Sequence, residues 1–218
     1  MPFDNVGRPG PGRGAGERAI NLPPTVLWLI AANVVVQVVR SLLLSEEADT
    51  ALIQQFGLVP AAYSAGSGDL LSQIAAPITY QFLHGGWMHL VVNMVSLAAF
   101  GAPVERLLGS RRFILFYLSA GIVAGLVHVA LNFDSVDPVI GASGAISGVF
   151  GAVLMLMRRL GSLTSLLPVA AIWIGLNVLF GVLGATPGAG GEQVAWVAHI
   201  GGFVYGLAAI HLFVPRRE

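Results

Sequence analysis

Apolar residues form six long stretches that are separated by shorter polar segments. Each stretch approaches the ~20 residues that a helix needs to cross a bilayer, although the fourth is short. The pattern therefore predicts an all-α polytopic membrane protein, a bundle of six transmembrane helices. The stretches cover residues 24–44, 83–104, 113–133, 143–157, 166–183 and 194–214.

The two ends of the chain are polar. Residues 1–23 are rich in Gly, Pro and Arg and lack the apolar core of a signal peptide, so we predict a disordered cytoplasmic tail that is not cleaved. Residues 215–218 would form a short cytoplasmic tail. A single membrane domain is predicted between them, at residues 24–214.

Composition supports the membrane assignment and excludes several functions. The chain is 56% hydrophobic and 10% charged, whereas soluble domains carry roughly 25% charged residues. It has no Cys, which excludes disulfides, thiolate metal sites and cysteine catalysis. No polybasic or aromatic-rich basic patch is present, so we expect no nucleic-acid partner.

The arginines predict the orientation. If six helices alternate in direction, all but one of the arginines fall on one side, which the positive-inside rule makes cytoplasmic. Both termini would then be cytoplasmic, and we expect the protein in a bacterial inner (plasma) membrane. The exception is Arg40, near the outer end of the first span. The cytoplasmic set is Arg8, Arg13, Arg18, Arg106, Arg111, Arg112, Arg158, Arg159, Arg216 and Arg217, with Arg106, Arg111 and Arg112 between the second and third spans.

The first outer loop, residues 45–82, is long for a compact bundle. Its segment 48–58 mixes apolar and polar residues in a way that is typical of a helix lying in the membrane interface. Because long loops in compact domains are usually functional or disordered, the amphipathic segment is informative. It predicts an ordered loop that lies along the membrane.

Polar side chains inside spans are costly and indicate function. Ser143, His199 and His89 precede the cytoplasmic arginines of their own spans by 15, 17 and 17 residues. At ~1.5 Å per residue these separations are about 22 to 26 Å, in a hydrocarbon core that is roughly 30 Å thick. Asn93 lies four residues after His89, on the same helical face. The sequence thus predicts one polar site that opens to the outer side.

Small residues explain how the helices could approach. Gly144 and Gly148 follow Ser143, Gly202 and Gly206 follow His199, and such Gly-xxx-Gly pairs allow close packing in lipid. Packing through these faces would bring the serine to the histidine, which could act as its general base. No acidic residue lies nearby in these two spans, which favours a dyad over a triad. His89 and Asn93 remain as donors for an oxyanion.

Together these motifs resemble those of the rhomboid intramembrane serine proteases. The resemblance covers residues 24–214 and rests on four segments. These segments are 84–89 (HGGWMH) with Asn93, 101–106 (GAPVER), 141–144 (GASG) and 198–202 (AHIGG) with Gly206.

The resemblance implies roles for the site. Ser143 would be the nucleophile, His199 its base and acid, and the oxyanion hole would consist of His89, Asn93 and the Ser143 amide. His84 would support the loop structure. Family substrates are membrane-anchored proteins in lipid, cut at or near small residues of an unwound transmembrane segment. No metal or cofactor is implied, while the natural substrate and the oligomeric state stay open.

The chain departs from the family pattern at two places. Some members place an aromatic residue four positions after the serine, stacked on the catalytic histidine, where this chain has Ser147. Orientation of His199 must then depend on other packing, such as Phe150 or Phe203. Some members also carry a Trp-Arg pair in the first outer loop, but residues 45–82 contain neither.

Two alternative functions remain on sequence grounds. A rhomboid-like protein could bind membrane helices without cutting them, although such proteins usually lose the serine or the histidine. A transporter could use a histidine-only metal site at His84, His89 and His199, which would leave Ser143 without a role. His128 and His211 lack such a context, and we interpret both as structural or incidental.

Overall fold

The computed structural model describes residues 21–64, 69–158, 163–183 and 195–215, and every regular element in these ranges is helical. Most of the predicted tails, 1–23 and 215–218, lies outside the described residues. In chain order the helices are α1 (Pro24–Leu43), α2 (Glu46–Phe56), α3 (Ala61–Ser64), α4 (Leu70–Thr79), α5 (Trp87–Ser96), α6 (Ala102–Leu108), α7 (Ser110–Leu131), α8 (Ser143–Met157), α9 (Leu163–Leu183) and α10 (Trp196–Phe213).

The predicted all-α membrane bundle is confirmed. Among the described residues, four continuous helical segments have the length and hydropathy to cross a membrane: α1, the α5–α6 segment, α7 and α10. Two shorter apolar helical segments, 143–157 and 167–179, bring the number to six. The chain is therefore an integral membrane protein.

The second span differs from its prediction at both ends. It begins at Trp87 rather than at residue 83, and it continues through a π-helical turn, Leu97–Gly101, to Leu108. Pro103 has no N–H to donate to the regular ladder, which fits the widened turn just before it. His84, predicted inside this span, therefore lies in the extended segment that precedes it.

The connection between the second and third spans is shorter than predicted. Because α7 begins at Ser110, Arg111 and Arg112 belong to its first turn, and Arg106 belongs to α6. Gly109 alone joins the two helices, with φ at +77°, a left-handed conformation that favours glycine. The arginines that were predicted to lie between the spans thus lie on the ends of helices.

The described residues of the predicted first outer loop, 45–82, are mostly helical. The helix expected at 48–58 is found as α2, whose N-terminus is capped by the Ser45 hydroxyl accepting from the N–H of Ala48 at 3.3 Å. The loop continues through α3, α4 and a 3₁₀ turn at Tyr80–Phe82. It then leads directly into the segment that carries His84.

Arg40, the exception to the charge pattern, is a buried structural residue. Its guanidinium donates to both carboxylate oxygens of Asp49, at 2.7 and 3.0 Å, and to the carbonyl oxygen of His84 at 2.7 Å. Such bidentate, charge-assisted hydrogen bonds are among the stronger ones in proteins. Arg40 therefore ties the end of α1 to the outer loop and to the segment before α5.

The centre of the bundle is formed by α7, α8 and α10. Large side chains of α7, including Phe113, Phe116 and Tyr117, are fully buried here. Small residues dominate the buried positions of α8, among them Gly144, Ala145, Gly148 and Ala152. This central position places the start of α8 inside the bundle.

Candidate active site

Ser143 and His199 are in direct hydrogen-bond contact. Ser143 is the first residue of α8, and His199 lies in the first turn of α10. The distance between the serine Oγ and the histidine Nε2 is 2.7 Å, and both side chains are half-buried. Such a contact lets an imidazole take the proton of a serine hydroxyl.

Glycines make this contact possible, as predicted. A Cβ built on Gly202 would overlap the carbonyl oxygen of Gly144, and one built on Gly206 would overlap that of Gly148. The backbones of α8 and α10 therefore touch along this seam, which we define as Gly144, Gly148, Gly202 and Gly206. No other residue type permits so close an approach of two helices. The seam fixes the relative positions of the two helix N-terminal ends.

Gly141, two residues before the start of α8, lies close to the candidate site. Gly141 has φ at +123°, and its N–H donates to the carbonyl of Tyr80 at 2.9 Å. A Cβ at this position would lie 2.9 Å from His89 Nε2 and 3.6 Å from Ser143 Oγ. Glycine at position 141 therefore lets the backbone pass close to both side chains, where a Cβ would crowd the His89 ring.

The hydrogen bond that His89 accepts defines which of its ring nitrogens carries the hydrogen. The N–H of Gly85 donates to His89 Nδ1 at 3.3 Å, so in the neutral ring the hydrogen must be on Nε2. Nε2 is also the ring atom that lies nearest to the Cβ position of Gly141, which is itself 3.6 Å from Ser143 Oγ. In this tautomer the N–H of His89 is therefore on the side of the ring that faces Gly141 and Ser143.

Asn93 lies one helical turn after His89, on the same face of α5. Its side chain is buried, and its Nδ2 donates to the carbonyl oxygen of His89 at 2.9 Å. An amide nitrogen carries two hydrogens, so this bond uses only part of its donor capacity. The structure thereby keeps the predicted pair together on one helix.

His84 is buried against His89 in the segment before α5. The two rings meet edge to face with centroids 5.1 Å apart. Burial lowers the pKa of His84 to about 3, and nearby His89 and Arg40 act in the same direction, so the ring is neutral at physiological pH. This packing fits the supporting position that the resemblance implied.

The histidines do not form a metal site among the described residues. Among the described residues, no group of three His, Cys, Asp or Glu side chains converges to hold a metal ion. The histidine-only site considered from the sequence is therefore not formed there by His84, His89 and His199. His211 is exposed near the end of α10, and His128 lies on α7.

Sequence reasoning missed Asn177, which contacts the second ring nitrogen of the histidine. The distance between Asn177 Oδ1 and His199 Nδ1 is 2.6 Å. The dyad predicted from the sequence rests on the lack of acidic residues in the two spans that carry Ser143 and His199, whereas Asn177 is an amide on α9. A signal was available, because this asparagine is the one amide side chain in an otherwise apolar span.

The aromatic residues that were expected to orient His199 pack against a residue of α9. Phe150 and Phe203 pack on Trp173 of α9, with ring centroids 5.8 and 4.6 Å away. Ser147, in the place of the family's aromatic, donates to the carbonyl of Ser143 at 2.7 Å. Instead, the hydrogen-bond partner of His199 Nδ1 is the amide oxygen of Asn177, which accepts.

Comparison with known proteins agrees with these motifs. The profile of the rhomboid domain matches residues 72–216. Rhomboid protease GluP of Bacillus subtilis is 34% identical over 169 residues, which cover 71% of this chain and 30% of the relative. Rhomboid-related protein 3 of Homo sapiens is 32% identical over 147 residues, 63% of this chain and 36% of the relative.

A mitochondrial protein is also similar to this chain. The mitochondrial presenilin-associated rhomboid-like protein of Mus musculus is 28% identical over 190 residues, 84% of this chain and 47% of the relative. The chain thus spans less than half the length of each of these three relatives. With the profile covering well over half of its residues, including every side chain of the site, the chain belongs to the rhomboid family.

Proposed function

We propose that the chain is a serine-type endopeptidase that hydrolyses peptide bonds in or near transmembrane segments of membrane-anchored proteins. The observation that carries the proposal is the 2.7 Å contact between Ser143 Oγ and His199 Nε2. It occurs in an integral membrane protein of a family whose Bacillus subtilis relative is named a rhomboid protease. Hydroxyl and imidazole in this relation are suited to acyl transfer.

The first half of the reaction forms an acyl-enzyme. Ser143 Oγ attacks the scissile carbonyl carbon while His199 Nε2 takes the hydroxyl proton. The carbonyl oxygen becomes an oxyanion, which accepts hydrogen bonds from His89 Nε2, Asn93 Nδ2 and the Ser143 amide. The C–N bond then breaks, and the leaving amine takes the proton from His199.

The second half returns the enzyme to its starting state. Water attacks the acyl carbon and gives one proton to His199, and the C–O bond to Ser143 breaks. The proton returns to the serine oxygen, and the new carboxylic acid product leaves. Water is the only co-reactant in this sequence, so the reaction as written uses no metal or cofactor.

The site would act from the outer side of the membrane. The arginine-rich ends of the helices would face the cytoplasm, and Ser143 and His199, at the opposite ends of α8 and α10, would open outward. A substrate helix must expose its backbone carbonyl there, which favours segments with small or helix-destabilising residues. Surrounding lipid and the substrate segment are the partners that this proposal requires.

A non-cleaving protein that binds membrane helices is the competing function. It would need neither the nucleophile nor the base, yet this chain has both and holds them at hydrogen-bond distance. The contact between them therefore favours the protease.

Cleavage of a single-span reporter in proteoliposomes tests the proposal. The reporter carries small residues in the outer half of its span, and cleavage is followed by gel shift. We expect Ser143→Ala and His199→Ala to abolish cleavage, and Asn93→Ala to reduce it by about 100-fold, since one oxyanion donor is worth ~2.7 to 4 kcal/mol. Retained cleavage by Ser143→Ala would overturn the assignment, while reporter binding without cleavage by the wild type would establish the competing function.

A further inference from the structure

We propose that Asn177 is the positioning residue of the catalytic histidine, and that it selects the tautomer in which His199 can act as a base. The inference rests on the proposed function of Ser143 and His199. It assigns a role to a residue of α9, a helix that contributes neither the nucleophile nor the base. The observation behind it is the 2.6 Å distance between Asn177 Oδ1 and His199 Nδ1.

The orientation of the Asn177 amide is fixed by its other end. Nδ2 donates to the backbone carbonyl of Trp173, one turn earlier on α9, at 2.8 Å. A carbonyl oxygen only accepts, so the group that faces it must be the NH₂. The oxygen of the amide is therefore the atom that faces His199.

This orientation determines the proton positions on the imidazole. Because Asn177 Oδ1 can only accept, the hydrogen of the neutral ring must be on Nδ1. Nε2 then carries a lone pair, and it is the nitrogen that lies 2.7 Å from Ser143 Oγ. The opposite tautomer would place a hydrogen on Nε2 and leave the serine proton without an acceptor.

The same bond strengthens as the reaction proceeds. When Nε2 takes the serine proton, the ring becomes an imidazolium, and its bond from Nδ1–H to Asn177 becomes charge-assisted. Charge-assisted hydrogen bonds are roughly twice as strong as neutral ones. Asn177 thus stabilises the transition state more than the ground state, although it touches neither substrate nor reacting atoms.

Aromatic packing holds Asn177 in place. Trp173, whose carbonyl anchors the amide, stacks on Phe203 of α10 with centroids 4.6 Å apart and also contacts Phe150 of α8. Phe203 follows His199 by four residues, so the stack and the hydrogen bond lie on adjacent turns of the same two helices. The docked position of α9 is therefore linked to the state of the imidazole.

The rate at which a fluorescent fluorophosphonate labels Ser143 in the detergent-solubilised full chain tests this role. We expect Asn177→Leu, similar in size but without an acceptor, to lower the maximal labelling rate about 10- to 100-fold without changing the half-saturating probe concentration. Asn177→Asp keeps an acceptor oxygen for His199 but loses the NH₂ that bonds to the Trp173 carbonyl, so it should lose clearly less rate than Asn177→Leu. Leu176→Ala is the matched control, since this neighbouring side chain is exposed.

The ¹⁵N spectrum of histidine-labelled protein gives a readout that loss of packing alone would not move. The chain has five histidines, and His199→Ala assigns the relevant pair of signals. We expect His199 of the wild type to carry its proton on Nδ1 and to show a mixture of tautomers in Asn177→Leu.

The outcomes separate this inference from the function on which it rests. Equal labelling of Ser143→Ala and wild type would reject the proposed function itself. Normal labelling of Asn177→Leu, with Ser143-dependent labelling of the wild type, would reject only the role of Asn177. An unchanged tautomer in Asn177→Leu, or an Asn177→Asp variant that loses as much rate as Asn177→Leu, would reject it as well.

Discussion

The seam between α8 and α10 and the contact of α9 with these helices hold the same histidine in different ways. Along the seam, backbone meets backbone, and a Cβ on Gly202 or Gly206 would overlap a carbonyl oxygen of α8. On α9, a Cβ at Gly175 would meet nothing within 4 Å, and Ile172 and Leu176 are exposed. One nitrogen of His199 is thus placed by close helix packing, and the other by a single side chain.

The two regions of the site therefore depend on different features of the sequence. The distance between Ser143 and His199 depends on glycines that no other residue can replace, because even a methyl group would separate the helices. The tautomer of His199 depends on Asn177, on a helix whose Trp173 packs against Phe150 and Phe203. The first arrangement is sensitive to added volume, and the second is sensitive to lost hydrogen-bond acceptors.

The largest expected effect comes from adding one methyl group to the seam. Gly206→Ala would place its Cβ against the carbonyl of Gly148 and force α8 and α10 apart. Overpacking of this kind costs about 1–3 kcal/mol, and the displaced dyad should lose more than 100-fold in Ser143 labelling. Thermal unfolding in detergent and fluorophosphonate labelling measure the two quantities.

Gly175→Ala is the matched substitution on α9. The same methyl group would enter open space, and alanine is favoured over glycine in a helix by up to ~1 kcal/mol. We therefore expect unchanged labelling and an equal or slightly higher unfolding temperature. Equal losses in Gly206→Ala and Gly175→Ala would contradict the contrast between the two regions.

A smaller effect on stability, but a large one on activity, is expected at Gly141. Gly141→Ala would strain the backbone at φ +123° and place a Cβ 2.9 Å from His89 Nε2, which would displace a proposed oxyanion donor. Labelling should fall by about 100-fold, in the range seen when one oxyanion donor is lost. In the control Gly86→Ala, at which a Cβ would have no neighbour within 4 Å, labelling should be nearly normal.

A smaller loss of activity than at Gly206 or Gly141 is expected at Trp173. Trp173→Leu would remove the stack on Phe203 and loosen the docking of α9, and we expect labelling to fall about tenfold, as for loss of one hydrogen bond to a charged ring. Because Trp173 and Asn177 act on the same bond, the double variant Trp173→Leu with Asn177→Leu should be little slower than Asn177→Leu alone. Fully additive losses would show that the tryptophan acts independently of the asparagine.

Much of the site was readable from the sequence because its parts are local. The start of α8 at Ser143, the glycine pairs and the spacing of His89 and Asn93 all follow from helical periodicity within single spans. Matching depths then predicted that Ser143 and His199 would meet, and the structure brings them to 2.7 Å. The pattern of apolar stretches, supported by composition, sufficed for the all-α membrane bundle.

The remaining features depend on contacts between distant segments. Arg40 departs from the charge pattern because it has structural partners, Asp49 and the carbonyl of His84. These contacts cannot be predicted from the sequence pattern. The second span begins at Trp87 because residues 83–86 before it are not helical. Hydropathy does not distinguish a helical segment from a non-helical one that is packed in the same way. Asn177 was missed because nothing in its own span indicates which neighbour its amide would face.

The most direct test of the central claim is to locate the fluorophosphonate adduct by mass spectrometry. Detergent-solubilised wild type is labelled, digested and compared with His199→Ala treated in parallel, with thermal unfolding as a check on folding. We expect one adduct, on the peptide that carries Ser143, and its loss in the folded His199→Ala variant. An adduct on a different serine, or equal labelling of Ser143 without the histidine, would show that the two residues do not form a catalytic dyad.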